Sequence, residues 1–121
     1  MSECLTIMIV EDEPLIAMML EDFLDSLGHE VLETCETVSS ALHCLKSQKP
    51  DLAILDVNVA GEAVWPVAAR LRELGIPFAL ATGGHVDAPP TDFVDTPTLA
   101  KPYTIDRVGP VIDEAMARSA V

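Results

Sequence analysis

A doubly wound α/β domain built on a five-stranded parallel sheet is predicted by three features of the 121-residue sequence. Short apolar, β-branched runs alternate with stretches whose apolar residues recur at helical spacing. The strand-like runs are almost continuously apolar, as strands covered on both faces must be. The length suits one domain, since domains most often run ~100–150 residues. Right-handed crossovers then place helices on both faces of the sheet.

Taken in order, Leu5–Val10 is the first strand. Glu13-Pro14 starts a helix, because proline in the first turn lacks only an N–H that the helix does not use. Ile16, Leu20, Phe23, Leu24 and Leu27 form its buried stripe, and Gly28 supplies a left-handed stop. Met18 and Met19 on this helix are assigned to the core or its edge. Val31–Cys35 is the second strand, and Val38, Ala41, Leu42 and Leu45 mark the second helix. After Pro50 the third strand lies in Leu52–Val57.

Trp65-Pro66 opens a third helix that carries Val67, Ala68, Leu71 and Leu74 to Gly75. Trp65 and Phe78 are read as core or helix-packing aromatics. Ile76–Ala81 and Thr98–Ala100 are the fourth and fifth strands. Pro89, Pro90 and Pro97 oppose a full fourth helix and leave one or two turns around Thr91–Val94. The last helix runs from Thr104 to about Ala117, but Gly109-Pro110 inside it predicts a kink or a late start.

The balance of 7 Lys+Arg against 20 Asp+Glu gives a net charge of −13. Such a chain is repelled by nucleic acid and by anionic lipid. With no basic arm and no second domain expected in 1–121, a DNA-binding effector is excluded and so is membrane insertion. The N-terminus has no basic segment, and its apolar run is too short for a signal peptide. Cys4, Cys35 and Cys44 form no CxxC pair, so free thiols in a cytoplasmic protein are the expectation. His29, His43 and His85 have no metal-ligand spacing.

In doubly wound sheets the site lies at the carboxyl ends of the strands. The first strand runs straight into Glu11, Asp12 and Glu13. Glycines would cradle a phosphate there; carboxylates instead attract a hard cation such as Mg²⁺, or simply favour the positive end of the next helix. Asp56 ends the third strand and emerges on the same edge. Three converging carboxylates repel one another, and a cation between them relieves that repulsion while leaving an Asp oxygen free as a nucleophile. The fourth strand ends at Thr82 beside Gly83-Gly84, and the fifth at Lys101-Pro102. A lysine opposite a carboxylate cluster suits phosphate better than solvent alone.

Glu11-Asp12, Asp56, Thr82 and Lys101-Pro102, with steps of 44, 26 and 19 residues from Asp12, resemble the response-regulator receiver domain. The resemblance implies a flavodoxin-like (βα)5 fold with a short or irregular fourth helix. It implies that Asp56 takes a phosphoryl group from a phosphohistidine of a histidine kinase or histidine phosphotransferase. Glu11, Asp12, Asp56 and the backbone carbonyl of Asn58 would hold Mg²⁺, Lys101 would pair with the phosphoryl oxygens, and Thr82 would donate to one of them. Asn58 and Gly84 would tune hydrolysis. The protein would be a phosphoacceptor rather than an enzyme in the ordinary sense.

Departures are visible too. Many receivers have proline where this chain has Ala60, and an aromatic switch residue where it has Thr98. LATGGH is similar to the Phe-Ala-Thr-Gly-X-Tyr signature of the FATGUY subgroup, with Leu80 for Phe and His85 for Tyr. Tyr103 stands where the family commonly has a partner-facing aromatic. The first and last helices are the family's usual kinase-docking surface. Two other readings stand beside a stand-alone phosphorelay receiver. One is a receiver-fold module that regulates a partner without phosphorylation. The other is a small Mg²⁺-dependent phosphatase, which lacks the expected aspartate pair.

Overall fold

In β1 (Thr6–Val10) alternate side chains point to opposite faces of the sheet, and both faces are apolar. The computed structural model describes residues 4–82, 96–100 and 104–119. Met8 and Val10 enter one buried cluster, whereas Ile7 and Ile9 enter another on the far side. β3 (Leu52–Asp56) divides the same way: Ala53 and Leu55 face the first cluster, Leu52 and Ile54 the second. This is why the sheet needs helices on both sides.

Between these strands α1 (Pro14–Ser26) begins with Pro14 and ends at Gly28, whose φ of +86° is the left-handed stop. β2 (Glu30–Cys35) returns beside β1, and α2 (Val38–Ser47) starts with a reciprocal Thr37–Ser40 capping box. After β3 comes a miniature hairpin of β4 (Asn58–Val59) and β5 (Glu62–Ala63). α3 (Trp65–Leu74), β6 (Phe78–Thr82), β7 (Thr98–Ala100) and α4 (Ile105–Ser119) complete the described elements. The sheet order is β2-β1-β3-β6-β7 with every neighbour pair parallel. That is the doubly wound five-stranded parallel sheet the sequence predicts, in the flavodoxin-like order that the family resemblance implies.

Helices α2 and α3 cover one face, where Ala41, Leu45, Val67 and Leu71 meet Met8 and Leu55. Helices α1 and α4 cover the other, where Leu20, Leu24, Val108 and Ile112 meet Ile7 and Ile54. Phe78 is buried and Trp65 packs partly buried against the first of these layers.

Three expectations need comment. Met19 packs at the core edge, but Met18 is 55% exposed and lies off the buried stripe of Ala17, Leu20 and Leu24. α4 begins at Ile105, ahead of Gly109-Pro110, so there is no late start. Pro110 lies on the exposed face, where a carbonyl deprived of its N–H partner can turn to water. The turns expected around Thr91–Val94 lie outside the described residues.

All three cysteines are free, Cys4 exposed and Cys35 and Cys44 buried. Burial, then the neighbouring Cys44 and Glu33, push the Cys35 thiol from 9.0 up to about 12. Burial also raises Cys44. Exposed Cys4 should alkylate in native protein, whereas Cys35 and Cys44, buried and held as thiols, should react only on unfolding. Quantifying labelled peptides over time checks this. The raised Cys35 also stabilises the fold below pH 9.0, and that contribution should be lost as pH rises from 9.0 towards about 12. Cys35→Ala should therefore flatten the alkaline loss of melting temperature.

Candidate functional site

The pairing of β1 with β3 ends at Val10 opposite Leu55, so the next residues lie side by side: Glu11 just past β1, and Asp56 as the last residue of β3, still opposite Ala81 of β6. Between these strands the chain order reverses, the switch point at which such sheets place their sites. Glu11, Asp12 and Asp56 each bring a carboxylate oxygen within 4.8 Å of the others. Glu11 is buried, Asp56 half-buried and Asp12 exposed, so the cluster is anchored in the protein and open to solvent on one side.

Backbone amides aim at each carboxylate. The Glu13 N–H donates to Glu11 Oε2 at 3.2 Å, at the start of α1. The Asn58 N–H donates to Asp56 Oδ1 at 3.4 Å, and the Ala60 N–H to Asp12 Oδ2 at 3.0 Å. The Glu11 N–H is itself tied to the carbonyl of Cys35 at 2.9 Å, which links the site to the end of β2.

Two of these donors belong to the β4–β5 hairpin. Its pairs Asn58 with Ala63 and Val59 with Glu62 leave Ala60-Gly61 as a two-residue turn. Both turn residues have positive φ, +50° at Ala60 and +80° at Gly61, as a type I′ turn requires. Val57, Val59 and Val64 anchor the hairpin in the core, and the Val64 N–H closes it on the carbonyl of Val57 at 2.9 Å. This hairpin escapes a sequence reading. Only Gly61, between short stretches of alternating burial, hints at it, and Ala60 disguises the turn.

The left-handed Ala60 also gives a physical reason for the missing proline. Proline is locked near φ −65° and has no N–H, so it could neither adopt this turn nor reach Asp12. Holding an alanine in this conformation costs roughly 1–2 kcal/mol.

Other sequence-selected residues are less fully placed. Thr82 ends β6 on the same edge of the sheet as Asp56, its neighbour strand being β3. Thr98 opens β7, is exposed, and its hydroxyl donates to the Thr96 carbonyl at 3.2 Å. Lys101, Tyr103, Gly84 and His85 lie outside the described residues.

The donor set is oxygen only, with charge enough for a divalent cation and an open side for water. That combination fits Mg²⁺, which binds one or two carboxylates and keeps much of its hydration. It does not fit a soft or strictly tetrahedral metal. Among the described residues, no helix is long and apolar enough to cross a membrane.

A family model for the response regulator receiver domain matches residues 7–89. The solution structure of SdrG from Sphingomonas melonis Fr1 is 48% identical, with a TM-score of 0.83 and complete coverage of both chains. The beryllofluoride-activated conformation of SdrG from Pseudomonas melonis Fr1 is 46% identical over 92% of this chain and 95% of that one, with a TM-score of 0.80. The phyllosphere-induced regulator PhyR of Methylorubrum extorquens is 32% identical over 91% of this chain and 43% of its own length. The chain thus spans less than half of the curated relatives it matches first. With its acidic edge at the β1–β3 switch point and likeness across the whole sheet, the chain belongs to the response regulator receiver domain family, the phosphoacceptor signalling modules of two-component systems.

Proposed function

We propose that Asp56 accepts a phosphoryl group from a phosphohistidine of a partner histidine kinase or histidine phosphotransferase, and that the protein signals through contact with another protein. The observation that carries this reading is the convergence of Glu11, Asp12 and Asp56 at the switch point. A carboxylate oxygen of Asp56 attacks phosphorus, the P–N bond breaks, and the imidazole leaves with the electron pair. Such a transfer needs alignment and charge stabilisation more than covalent help.

Glu11, Asp12, Asp56 and the backbone carbonyl of Asn58 are the residues that would hold Mg²⁺. Bound there, the ion would supply charge neutralisation for the phosphoryl oxygens. The family resemblance assigns Lys101 to pairing with those oxygens and Thr82 to donating a hydrogen bond. It also assigns Asn58 and Gly84 to control of hydrolysis, and leaves Thr98 and His85 as positions where a switch would differ from the usual aromatic one. Tyr103 is assigned to the partner-facing side. The beryllofluoride-activated form of the related SdrG supports a phosphorylation-driven reading over a phosphorylation-independent one.

The partner surface we favour lies beside the site. Leu15 is 79% exposed and Met18 55% exposed on α1, and Ile105 is 40% exposed at the start of α4. These two helices pack against the same face of the sheet, and their N-termini follow strand ends on the site's edge. Exposed apolar side chains on these helices, with the acid Asp22 also on α1, suit a helical partner that presents its phosphohistidine to Asp56.

Labelling by a small acyl phosphate donor should require Mg²⁺ and vanish in Asp56→Asn; labelling that survives the substitution assigns the acceptor wrongly. In EDTA the same substitution should raise the melting temperature, because it removes repulsion worth about 1–3 kcal/mol among close carboxylates. Added Mg²⁺ should reverse the order of stabilities. Leu15→Glu and Met18→Glu should slow transfer from a phosphohistidine protein by 10-fold or more, yet leave labelling by the small donor unchanged. Equal loss with both donors would remove the docking assignment.

A further inference from the structure

The hairpin after β3 does more than connect strand to helix. Its Asn58 N–H meets Asp56 and its Ala60 N–H meets Asp12, so one closed turn holds carboxylates from two different strand ends. We infer that the β4–β5 hairpin is a positioning clamp for the acidic site, with Ala60 acting through its left-handed backbone to orient Asp12 before a cation arrives. The inference rests on the metal reading proposed above, and it concerns a segment that touches the ligands rather than the ligands themselves.

Three features make the hairpin suitable. It is anchored, since Val57, Val59 and Val64 are buried while Asn58, Ala60 and Gly61 face solvent. It is closed by the Val64-to-Val57 bond and two antiparallel pairs, so the two donors are fixed relative to each other. Its donors engage one named oxygen of each carboxylate, Oδ2 of Asp12 and Oδ1 of Asp56, so each carboxylate is oriented from the hairpin side. Hydrogen bonds that orient metal ligands from behind commonly change metal affinity by roughly 10–100-fold when lost. Positive φ at residue 60 is the part of the device that an ordinary side-chain comparison does not reveal.

The test has a metal-free arm and a metal arm. In metal-free, ¹⁵N-labelled protein, Asp12→Ala should move the Ala60 amide proton upfield, by more than any other amide of residues 57–64. An unmoved Ala60 amide overturns the clamp. In the second arm, Mg²⁺ is titrated against the wild type, Ala60→Gly and Ala60→Pro, with binding read from Trp65 fluorescence and from amide shifts. Ala60→Gly keeps the N–H and tolerates the turn, so its Mg²⁺ affinity should stay within about 2-fold of wild type. Ala60→Pro loses both and should weaken binding by roughly 10–100-fold. Wild-type affinity in folded Ala60→Pro overturns the inference; if that variant does not fold, the Asp12→Ala amide shift decides. A wild type that binds no Mg²⁺ would sink the metal reading instead, and the amide shift alone would then judge the clamp.

Discussion

Three carboxylates within 4.8 Å of one another repel, and the fold must hold them there before anything else can happen. What holds them is the pairing of β1 with β3. Ile7, Met8, Ile9 and Val10 are each no more than 1% exposed, as are Leu52, Ala53 and Leu55 opposite them. Each large apolar side chain so buried contributes about 1.5–3 kcal/mol, so the two strands together outweigh a repulsion of about 1–3 kcal/mol several times over. The acids can therefore be gathered where chemistry needs them because the core directly beneath is rigid. A one-residue slip in register would turn every strand side chain to the other face and separate Glu11 from Asp56, which the two-sided core forbids.

Around that constraint the backbone supplies what side chains do not. Each carboxylate accepts a backbone amide, from the start of α1 for Glu11 and from the hairpin for Asp56 and Asp12. Acids preceding α1 also sit near the positive end of its dipole, worth about 0.3–1 kcal/mol each. These contacts moderate the repulsion and fix the direction of the carboxylates.

The strands and the carboxylates were legible because both follow simple rules. Strands buried on both faces read as continuous apolar runs, and a charged residue directly after such a run can only emerge at its end. Asp56 after Leu52–Leu55 and Glu11 after Ile7–Val10 are such cases. The hairpin was not legible. Two-residue strands carry no periodicity, and Ala60 stands where glycine or asparagine would have announced a left-handed turn. In the sequence only a missing proline is visible; its cause lies in φ, which no residue name encodes. Met18 misled because one methionine beside another on a helix is 100° away from it, and only Met19 faces the core edge. Pro110 does not delay the start of α4, because an exposed helix face can shed a hydrogen bond to water, a tolerance that depends on burial and not on composition.

The acidity of the chain takes on a different meaning beside the proposed docking face. A net charge of −13 slows approach to any acidic partner and favours one with a basic surface, through a field that reaches about 8–10 Å in ordinary salt. That field is broad and chooses a class of partner rather than a single one. Leu15, Met18 and Ile105 act at contact distance instead, where apolar burial and shape decide whether the encounter persists. Because α1 begins only two residues after Asp12, a partner seated on Leu15 is held in a fixed relation to the carboxylates. On the proposed reading, specificity and chemistry are therefore joined by one turn of helix: charge brings the partner near, the apolar face orients it, and the clamped acids receive what it carries.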